Sequence, residues 1–151
     1  MKNQRLENPV PDELNFGDCG CFNLRRAARR VTQLYDHALA PSGLKATQFA
    51  LLAVLGGDNV GEGIAMTRLA EKLGMDRTTL TRNLAVVERN GLVTVRTGDD
   101  PRSRLVALTK AGRRALELAA PLWAKAQAEL VGHIGTGQKE FLELTRRLAA
   151  I

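Results

Sequence analysis

The sequence has few aromatic residues, few cysteines and no long apolar run. Aromatic residues make up 4% of the 151 residues, and the two cysteines, Cys19 and Cys21, are separated by a single residue. A disulfide between them would close a very short loop and could not stabilise a fold. Two thiols are also too few for a structural zinc site, which needs four ligands. The longest apolar run, residues 49–55, is far shorter than the roughly 20 residues that span a bilayer.

Motifs for catalysis and for export are also missing. The sequence contains no glycine-rich phosphate loop, no paired-carboxylate motif and no nucleophile motif, and His37 and His133 stand in no metal-ligand or triad spacing. Residues 1–16 are polar, include Pro9 and Pro11, and lack the apolar core of a signal peptide. We therefore expect a cytoplasmic protein that is not an enzyme, does not enter a membrane and uses no metal or cofactor.

The charge balance makes polyanions plausible partners. The chain carries 22 Lys and Arg against 16 Asp and Glu, a net charge of +6. The excess is concentrated, at +3 each, in residues 22–40, 63–109 and 110–151. Charge does not decide the fold, but 44% hydrophobic and 25% charged residues are globular values, and the length allows one domain.

Apolar periodicity predicts a mostly helical chain. Apolar residues recur at helical spacing over residues 22–39, and the four arginines of this segment lie on the opposite side. Further helices are expected over residues 49–55, 68–73, 77–90, 109–133 and 138–150, and a loop over residues 56–63. The expected N-caps are Thr47, Thr67 and Asp76, and Pro121 should kink the long helix.

A helix-turn-helix followed by a hairpin is the informative part of the chain. Two short helices joined by Gly74-Met75-Asp76 fit a helix-turn-helix. Residues 92–97 and 104–108 read as strands joined by a turn at 98–101, which makes the unit a winged variant. The expected fold class is mainly α with a small β-hairpin wing: a winged helix-turn-helix with long N- and C-terminal dimerisation helices.

The second helix of this unit has the pattern of a recognition helix. Leu80, Leu84 and Val87 define a buried stripe, which leaves a polar face pointing outward. Hydroxyl and guanidinium groups on such a face read base edges or hold phosphates in the major groove. The candidate DNA-binding residues are Arg77, Thr78, Thr79, Thr81, Arg82 and Arg89. The alternative is that the threonines only cap and cover a solvated helix.

Two arginines lie at the tip of the predicted wing. The run Asp100-Pro-Arg-Ser-Arg104 places Arg102 and Arg104 where side chains reach past the body of the protein. We expect both to contact DNA, with Arg102 in the neighbouring minor groove and Asp100 bracing its guanidinium. The alternative is a surface salt bridge worth less than about 1 kcal/mol.

The segments 69–84, 88–93, 100–102 and 106–112 together resemble the MarR family of bacterial transcriptional regulators. The specific part is the spacing from Asp100-x-Arg102 to Val106-x-Leu-Thr-x-x-Gly112, and the resemblance extends from about residue 22 to the C-terminus. It implies a homodimer whose first and last two helices interlock. It also implies that Thr78, Thr79, Thr81 and Arg82 enter the major groove, and Arg102 the minor groove.

The expected organisation follows from the residues and the resemblance together. It comprises an N-terminal arm (1–21), a helical dimerisation region (22–46 and 109–151) and a DNA-binding lobe (47–108). The long helix from residue 109 has more apolar surface than one small lobe covers, which favours a dimer over an intramolecular bundle. We expect a dimeric, ligand-responsive repressor that binds a pseudo-palindromic operator in double-stranded DNA. The alternatives are a redox-sensing regulator and a non-specific architectural DNA-binding protein.

Two features of the first helix concern the signal that would release the protein from DNA, which could be a small ligand or an oxidant. In the family, a crevice beside this helix often takes small aromatic or carboxylate ligands, and Arg25 and Arg29 are candidates for holding one. The alternative is a solvated arginine face. Cys21-Phe22 is similar to the Cys-Phe pair of the organic-peroxide-sensing branch, in which a cysteine oxidises and DNA is released. This chain has Arg25 and Ala46 where that branch has tyrosines, so unreactive thiols are the alternative.

Overall fold

The structure, a computed structural model, describes residues 16–57, 63–100 and 102–151. These residues form six α-helices and three strands: α1 (Gly20–Leu39), α2 (Ala46–Gly57), β1 (Ile64–Ala65), α3 (Met66–Leu73), α4 (Arg77–Arg89), β2 (Val93–Thr97), β3 (Arg104–Leu108), α5 (Lys110–Ile134) and α6 (Gln138–Leu148). The expected fold class is confirmed. Residues 1–15 of the expected arm, most of the expected loop at 56–63 and Pro101 lie outside the described residues.

The strands form one antiparallel sheet in the order β1-β3-β2. β2 and β3 are the predicted hairpin, in register from Val93 opposite Leu108 to Thr97 opposite Arg104. β1 adds a third strand that the sequence did not predict, with Ile64 opposite Val106. Two residues are too few to show strand alternation, so this pairing depends on the hairpin that is already in place.

Two of the three expected N-caps are wrong. Asp76 does cap α4, since its Oδ1 accepts a hydrogen bond of 2.9 Å from the Thr79 backbone N–H. Thr47 lies inside α2, which begins one residue earlier at Ala46. Thr67 lies inside α3, which follows directly from β1 with Ala65 at the cap position and no side-chain cap. The sheet, rather than a hydroxyl, fixes where α3 begins.

The core is one cluster built around α2. Phe49, Leu51, Leu52 and Leu55 of this helix are buried together with residues from α3, α4 and the sheet. Fully burying each such side chain is worth about 1.5–3 kcal/mol. Phe49 also stacks on Trp123 of α5, with ring centroids 6.0 Å apart and planes 16° from parallel. The helix with the most apolar sequence therefore joins the helix-turn-helix to the long C-terminal helix.

A close contact joins the start of α5 to the turn after α4. Thr109 caps α5 by accepting a 2.9 Å hydrogen bond from the Gly112 N–H, and its hydroxyl donates to the Gly91 carbonyl at 2.7 Å. Gly112 is buried, and a Cβ there would lie 1.9 Å from the Leu92 carbonyl oxygen. Only glycine lets the helix approach this backbone so closely.

α5 continues through Pro121 as one helix, and the expected kink there stays a prediction. Within the described ranges, no single helix is long and apolar enough to cross a bilayer, although the bent pair Gly20–Ser42 and Ala46–Gly57 passes that test jointly. Since α2 contributes four buried residues to the core, packing accounts for its apolar composition.

Gly112→Ala should destabilise the protein by about 3 kcal/mol, because the added methyl group would overlap the Leu92 carbonyl. The matched control is Gly132→Ala in the same helix, where a Cβ meets nothing within 4 Å. That change should stabilise the helix by up to about 1 kcal/mol. Urea unfolding at one fixed protein concentration checks both. Equal effects of the two changes would contradict the close-approach explanation.

Candidate nucleic-acid interface

α4 presents the polar face that its sequence predicts. Leu80, Leu84 and Val87 are at most 2% exposed, so one side of the helix packs against the core. The predicted contact residues of this helix are all exposed: Arg77, Thr78, Thr79, Thr81, Arg82 and Arg89. The face that would enter a groove of DNA is thus separate from the face that holds the fold together.

The three threonines of α4 are not equivalent. The Thr79 hydroxyl donates to Asp76 Oδ2 at 2.6 Å, and the Thr81 hydroxyl donates to the Arg77 carbonyl at 2.7 Å. The Thr78 hydroxyl has no hydrogen-bond partner among the described residues. The alternative that the threonines only cap the helix therefore applies to Thr79. The Thr78 hydroxyl, in contrast, remains available to donate a hydrogen bond to a ligand.

Asp76 is held as an anion at the start of the recognition helix. The hydrogen bonds from the Thr79 hydroxyl and from the Thr79 backbone N–H lower the pKa of this carboxyl group. The charge also lies at the positive end of the helix dipole, which favours the ionised form. The helix start is therefore fixed by a local anion and not by the core.

The wing tip is ordered by its own backbone. The Gly98 N–H donates to the Ser103 carbonyl at 3.0 Å, and the Ser103 N–H donates to the Asp100 carbonyl at 2.8 Å. Asp100 Oδ1 accepts a 2.8 Å hydrogen bond from the backbone N–H of Arg102. The expectation that Asp100 braces the Arg102 guanidinium is therefore wrong, because the tight turn brings the amide to the carboxylate. The Arg102 side chain is left exposed.

Three of the predicted arginines meet in one groove. Arg77, Arg102 and Arg104 line a pocket of about 430 Å³ between the start of α3, the start of α4 and the wing. A second pocket along α4 is lined by Thr81 and again by Arg77 and Arg104. Arg82 and Arg89 line neither of these pockets and lie elsewhere on the exposed face of α4.

α3 also contributes to this groove, which the sequence does not predict. Thr67 and Glu71 line it beside the arginines, together with Met66 and Ala70. Their positions follow from β1, whose pairing with β3 leads the chain into α3 next to the wing. No local pattern marks these residues, since their proximity to Arg102 depends on strand pairing.

The two effector candidates on α1 are placed differently. Arg29 lines an open depression together with Arg26, Arg30 and Gln33, and Arg25 does not line it. The Arg30 Nη1 donates to Gln33 Oε1 at 3.5 Å. All four arginines of α1 are exposed, and among the described residues none of them is ion-paired with a carboxylate. The depression is therefore a concentration of positive charge open to solvent.

The two thiols lie at the start of α1. Cys19 is the residue before the helix and is half-buried, and Cys21 is exposed in the first turn. Both are free. Over the ranges that the structure covers, no group of three or more His, Cys, Asp or Glu side chains could hold a metal ion.

Large apolar side chains remain exposed on α1, α5 and α6, and at Ile151 after α6. Leu118 of α5 is 72% exposed, and Trp123 is 39% exposed although it stacks on Phe49. The other large members of this exposed set are Phe22, Leu24, Phe141, Leu142 and Leu144. The lobe formed by α2, α3, α4 and the sheet contributes none of the large exposed apolar residues among those described.

Comparisons with known proteins agree with this geometry. A sequence model of the MarR family matches residues 42–103, which include the helix-turn-helix and most of the wing. The transcriptional activatory protein BadR of Rhodopseudomonas palustris is 34% identical over 79% of this chain and 69% of its own length. An organic hydroperoxide resistance transcriptional regulator of Bacillus subtilis is 31% identical over 71% of each chain.

Solved structures of transcriptional regulators are also similar to this chain. The transcriptional regulator MosR of M. tuberculosis is 42% identical, with a TM-score of 0.78 over 91% of this chain and 100% of its own. A structure of MosR in complex with DNA is 43% identical, with a TM-score of 0.76 over 88% and 98% of the two chains. The relatives are named as proteins that regulate transcription, and the exposed α4 and wing are the parts that such a protein needs. The chain belongs to the MarR family of winged-helix, DNA-binding transcriptional regulators.

Proposed function

We propose that the protein is a homodimeric, ligand-responsive repressor that binds a pseudo-palindromic operator. The observation that carries this proposal is the exposed, polar face of α4 beside a wing whose arginines line one groove with the start of that helix. The DNA complex of the M. tuberculosis relative supports it. BadR is named as an activatory protein, so a reporter assay with and without the regulator is needed to give the direction of control.

We assign different roles to the exposed side chains of the lobe. Thr78 and Arg82 read base edges in the major groove, since the Thr78 hydroxyl is unpartnered within the described chain and Arg82 lies on the exposed face. Arg77 and Arg104 hold backbone phosphates, because they line the groove between helix and wing. Thr79, Thr81 and Arg89 make further contacts along α4, and Arg102 enters the minor groove.

The exposed apolar residues of α1, α5 and α6 support the proposed dimer. These helices fall in the proposed dimerisation region (22–46 and 109–151), with residues 47–108 as the lobe. The expected arm, residues 1–21, overlaps α1, which begins at Gly20 and not at residue 22. Obligate dimers bury apolar surface that resembles a core cut in half. Two lobes related by a two-fold axis would then meet half-sites about one helical turn apart.

Arg82→Ala should relax sequence specificity, while Arg77→Ala should weaken binding to all sequences alike. A lost base contact costs about 1–3 kcal/mol of discrimination, roughly tenfold. A lost phosphate contact lowers the salt dependence of binding by about one unit of slope, and therefore by about two units when both chains of the dimer carry the change. The probe is a duplex enriched from a random library by the wild-type protein, measured against a scrambled duplex at several salt concentrations.

The same measurement separates the alternatives. An architectural protein would bind the enriched and scrambled duplexes equally, and Arg82→Ala would then lower both affinities together. Sedimentation of the complex should give two chains per duplex. One chain per duplex, with only monomer in the free protein at micromolar concentration, would contradict the dimer.

We propose that the effector is a small aromatic carboxylate held by arginines of α1. An arginine fork pairs well with a carboxylate, and the arginine-lined depression on α1 has no competing carboxylate partner among the described residues. Arg29 lines the depression and is the stronger candidate by position, and Arg25 lies one helical turn before it.

Arg29→Ala should abolish release of the enriched duplex by the effector and leave DNA affinity unchanged in its absence. Arg25→Ala is the comparison and should have the smaller effect, because Arg25 is also exposed but does not line the depression. A panel of aromatic acids, scored by DNA binding and by melting temperature, provides the measurement. If no acid changes either quantity for the wild-type protein, this effector class is wrong.

Redox sensing through Cys21 is a second candidate function. Cys21 is free and exposed in the first turn of α1, where a hydroperoxide can reach its sulfur. The relative named for organic hydroperoxide resistance supports this candidate. In the proposed step the Cys21 sulfur attacks the terminal oxygen of a hydroperoxide, so that an S–O bond forms and the O–O bond breaks. The thiol proton passes to the leaving alkoxide, and the products are a sulfenic acid and the corresponding alcohol.

Cys21→Ser should remain bound to the enriched duplex in the presence of cumene hydroperoxide, while the wild-type protein dissociates. Cys19→Ser is the control, since this neighbouring thiol is half-buried at the helix cap. Fluorescence anisotropy of labelled duplex follows the release, and mass spectrometry locates the oxidised residue. Continued release by the Cys21→Ser protein would exclude Cys21 as the sensor.

A further inference from the structure

Asp36, near the end of α1, makes its contacts with the start of α2. Its Oδ1 accepts a 2.7 Å hydrogen bond from the backbone N–H of Ala46, and its Oδ2 lies 3.7 Å from the Lys45 Nζ. Ala46 is the first residue of α2, so its N–H has no acceptor within the helix. The carboxylate of one helix therefore satisfies the terminus of the next, ten residues further along the chain.

This contact lies at a sharp corner of the chain. The segment Gly20–Ser42 and the helix Ala46–Gly57 meet at 74°. The corner is closed by the Ser42 hydroxyl, which donates to the Leu39 carbonyl at 2.7 Å, and by Gly43, whose φ of 74° suits glycine. Leu39 and Leu44 on either side are buried. The backbone of the corner is thus short and packed, and Asp36 is the side chain that bridges it.

The residue before Asp36 ties the same turn of α1 to α5. The Tyr35 hydroxyl donates to Gln127 Oε1 at 2.5 Å, and burial raises the pKa of this phenol. Tyr35 therefore fixes α1 to a helix of the proposed dimerisation region, while Asp36 fixes it to α2, which carries the core of the lobe. This turn of α1 is one connection between the two parts, beside the Phe49–Trp123 stack and the contact at the start of α5.

We propose that Asp36 is a positioning residue that fixes the angle between α1 and α2, and with it the half-site separation that the dimer accepts. The inference rests on the proposed dimer and concerns a residue that does not touch DNA. A rotation of α2 about the corner would carry α3, α4 and the wing with it, because their buried residues pack in one cluster with those of α2. The two recognition helices would then no longer match a fixed spacing.

The hydrogen bond, and not the ion pair, carries this role. Lys45 is 67% exposed and its Nζ is at the outer limit of ion-pair distance, so solvent screens the interaction. The bond to the Ala46 N–H is short, charge-assisted and directed at the positive end of a helix. Asp36→Ala should thus have the full effect on the angle between α1 and α2. Asp36→Asn should have an intermediate effect on this angle, and Lys45→Gln should have none.

A measurement without DNA tests the angle. One spin label per chain, at Thr94→Cys on the exposed side of β2 in a Cys19→Ser, Cys21→Ser background, gives one distance across the dimer. Asp36→Ala should broaden or shift the distance distribution from dipolar EPR, and Lys45→Gln should leave it unchanged. An identical distribution in folded Asp36→Ala would overturn the inference alone. Absence of a dipolar signal in the parent protein would overturn the dimer as well.

A measurement with DNA tests the consequence. The enriched duplex is compared with versions that have one or two base pairs added between the half-sites, and with a duplex carrying one half-site. In Asp36→Ala the preference for the selected spacing should fall about fivefold, as the loss of one capping hydrogen bond would give. Affinity for the single half-site should change less than about twofold, since the lobe itself is intact. Equal weakening on every duplex would show a general structural role and overturn the proposal.

Discussion

The contact between Thr109, Gly112 and the turn after α4 joins the part of the molecule that faces DNA to the long helix α5. The Thr109 hydroxyl bonds the Gly91 carbonyl while capping α5, and Gly112 allows the helix to lie against the Leu92 carbonyl. The hairpin begins and ends at this point, since Val93 pairs with Leu108. The recognition helix, the wing and α5 therefore meet at one contact region, so a displacement of one of them also displaces the other two.

The separation of a buried face from an exposed face on α4 depends on this contact. The buried side of the helix supplies Leu80, Leu84 and Val87 to the core, so the exposed side is available for a ligand without loss of stability. Asp76 and Thr79 fix its first turn, and the wing brings Arg102 and Arg104 next to Arg77. The backbone that carries these arginines is held by hydrogen bonds of the wing turn and of the first turn of α4, which fixes where each arginine begins.

Much of the fold and part of the site could be predicted from the sequence. Helical periodicity located the buried stripe of α4, and strand alternation located the hairpin, because both patterns are local. The caps at Thr47 and Thr67 were wrong, since Asp36 and Gln48 satisfy the start of α2 and β1 leads directly into α3. The partner of Asp100 was also wrong, because turn geometry favours the amide of Arg102.

The sequence by itself determined the order of the six helices and of the hairpin strands β2 and β3, the polar face of α4, and the residue spacing that the MarR family shares. These depend on residue type at fixed intervals along one chain. The tertiary structure decided which groups lie together: Arg77, Arg102 and Arg104 line one groove, and Asp36 contacts the start of α2. These contacts join residues distant along the chain, and only the packing of helices and strands brings them together.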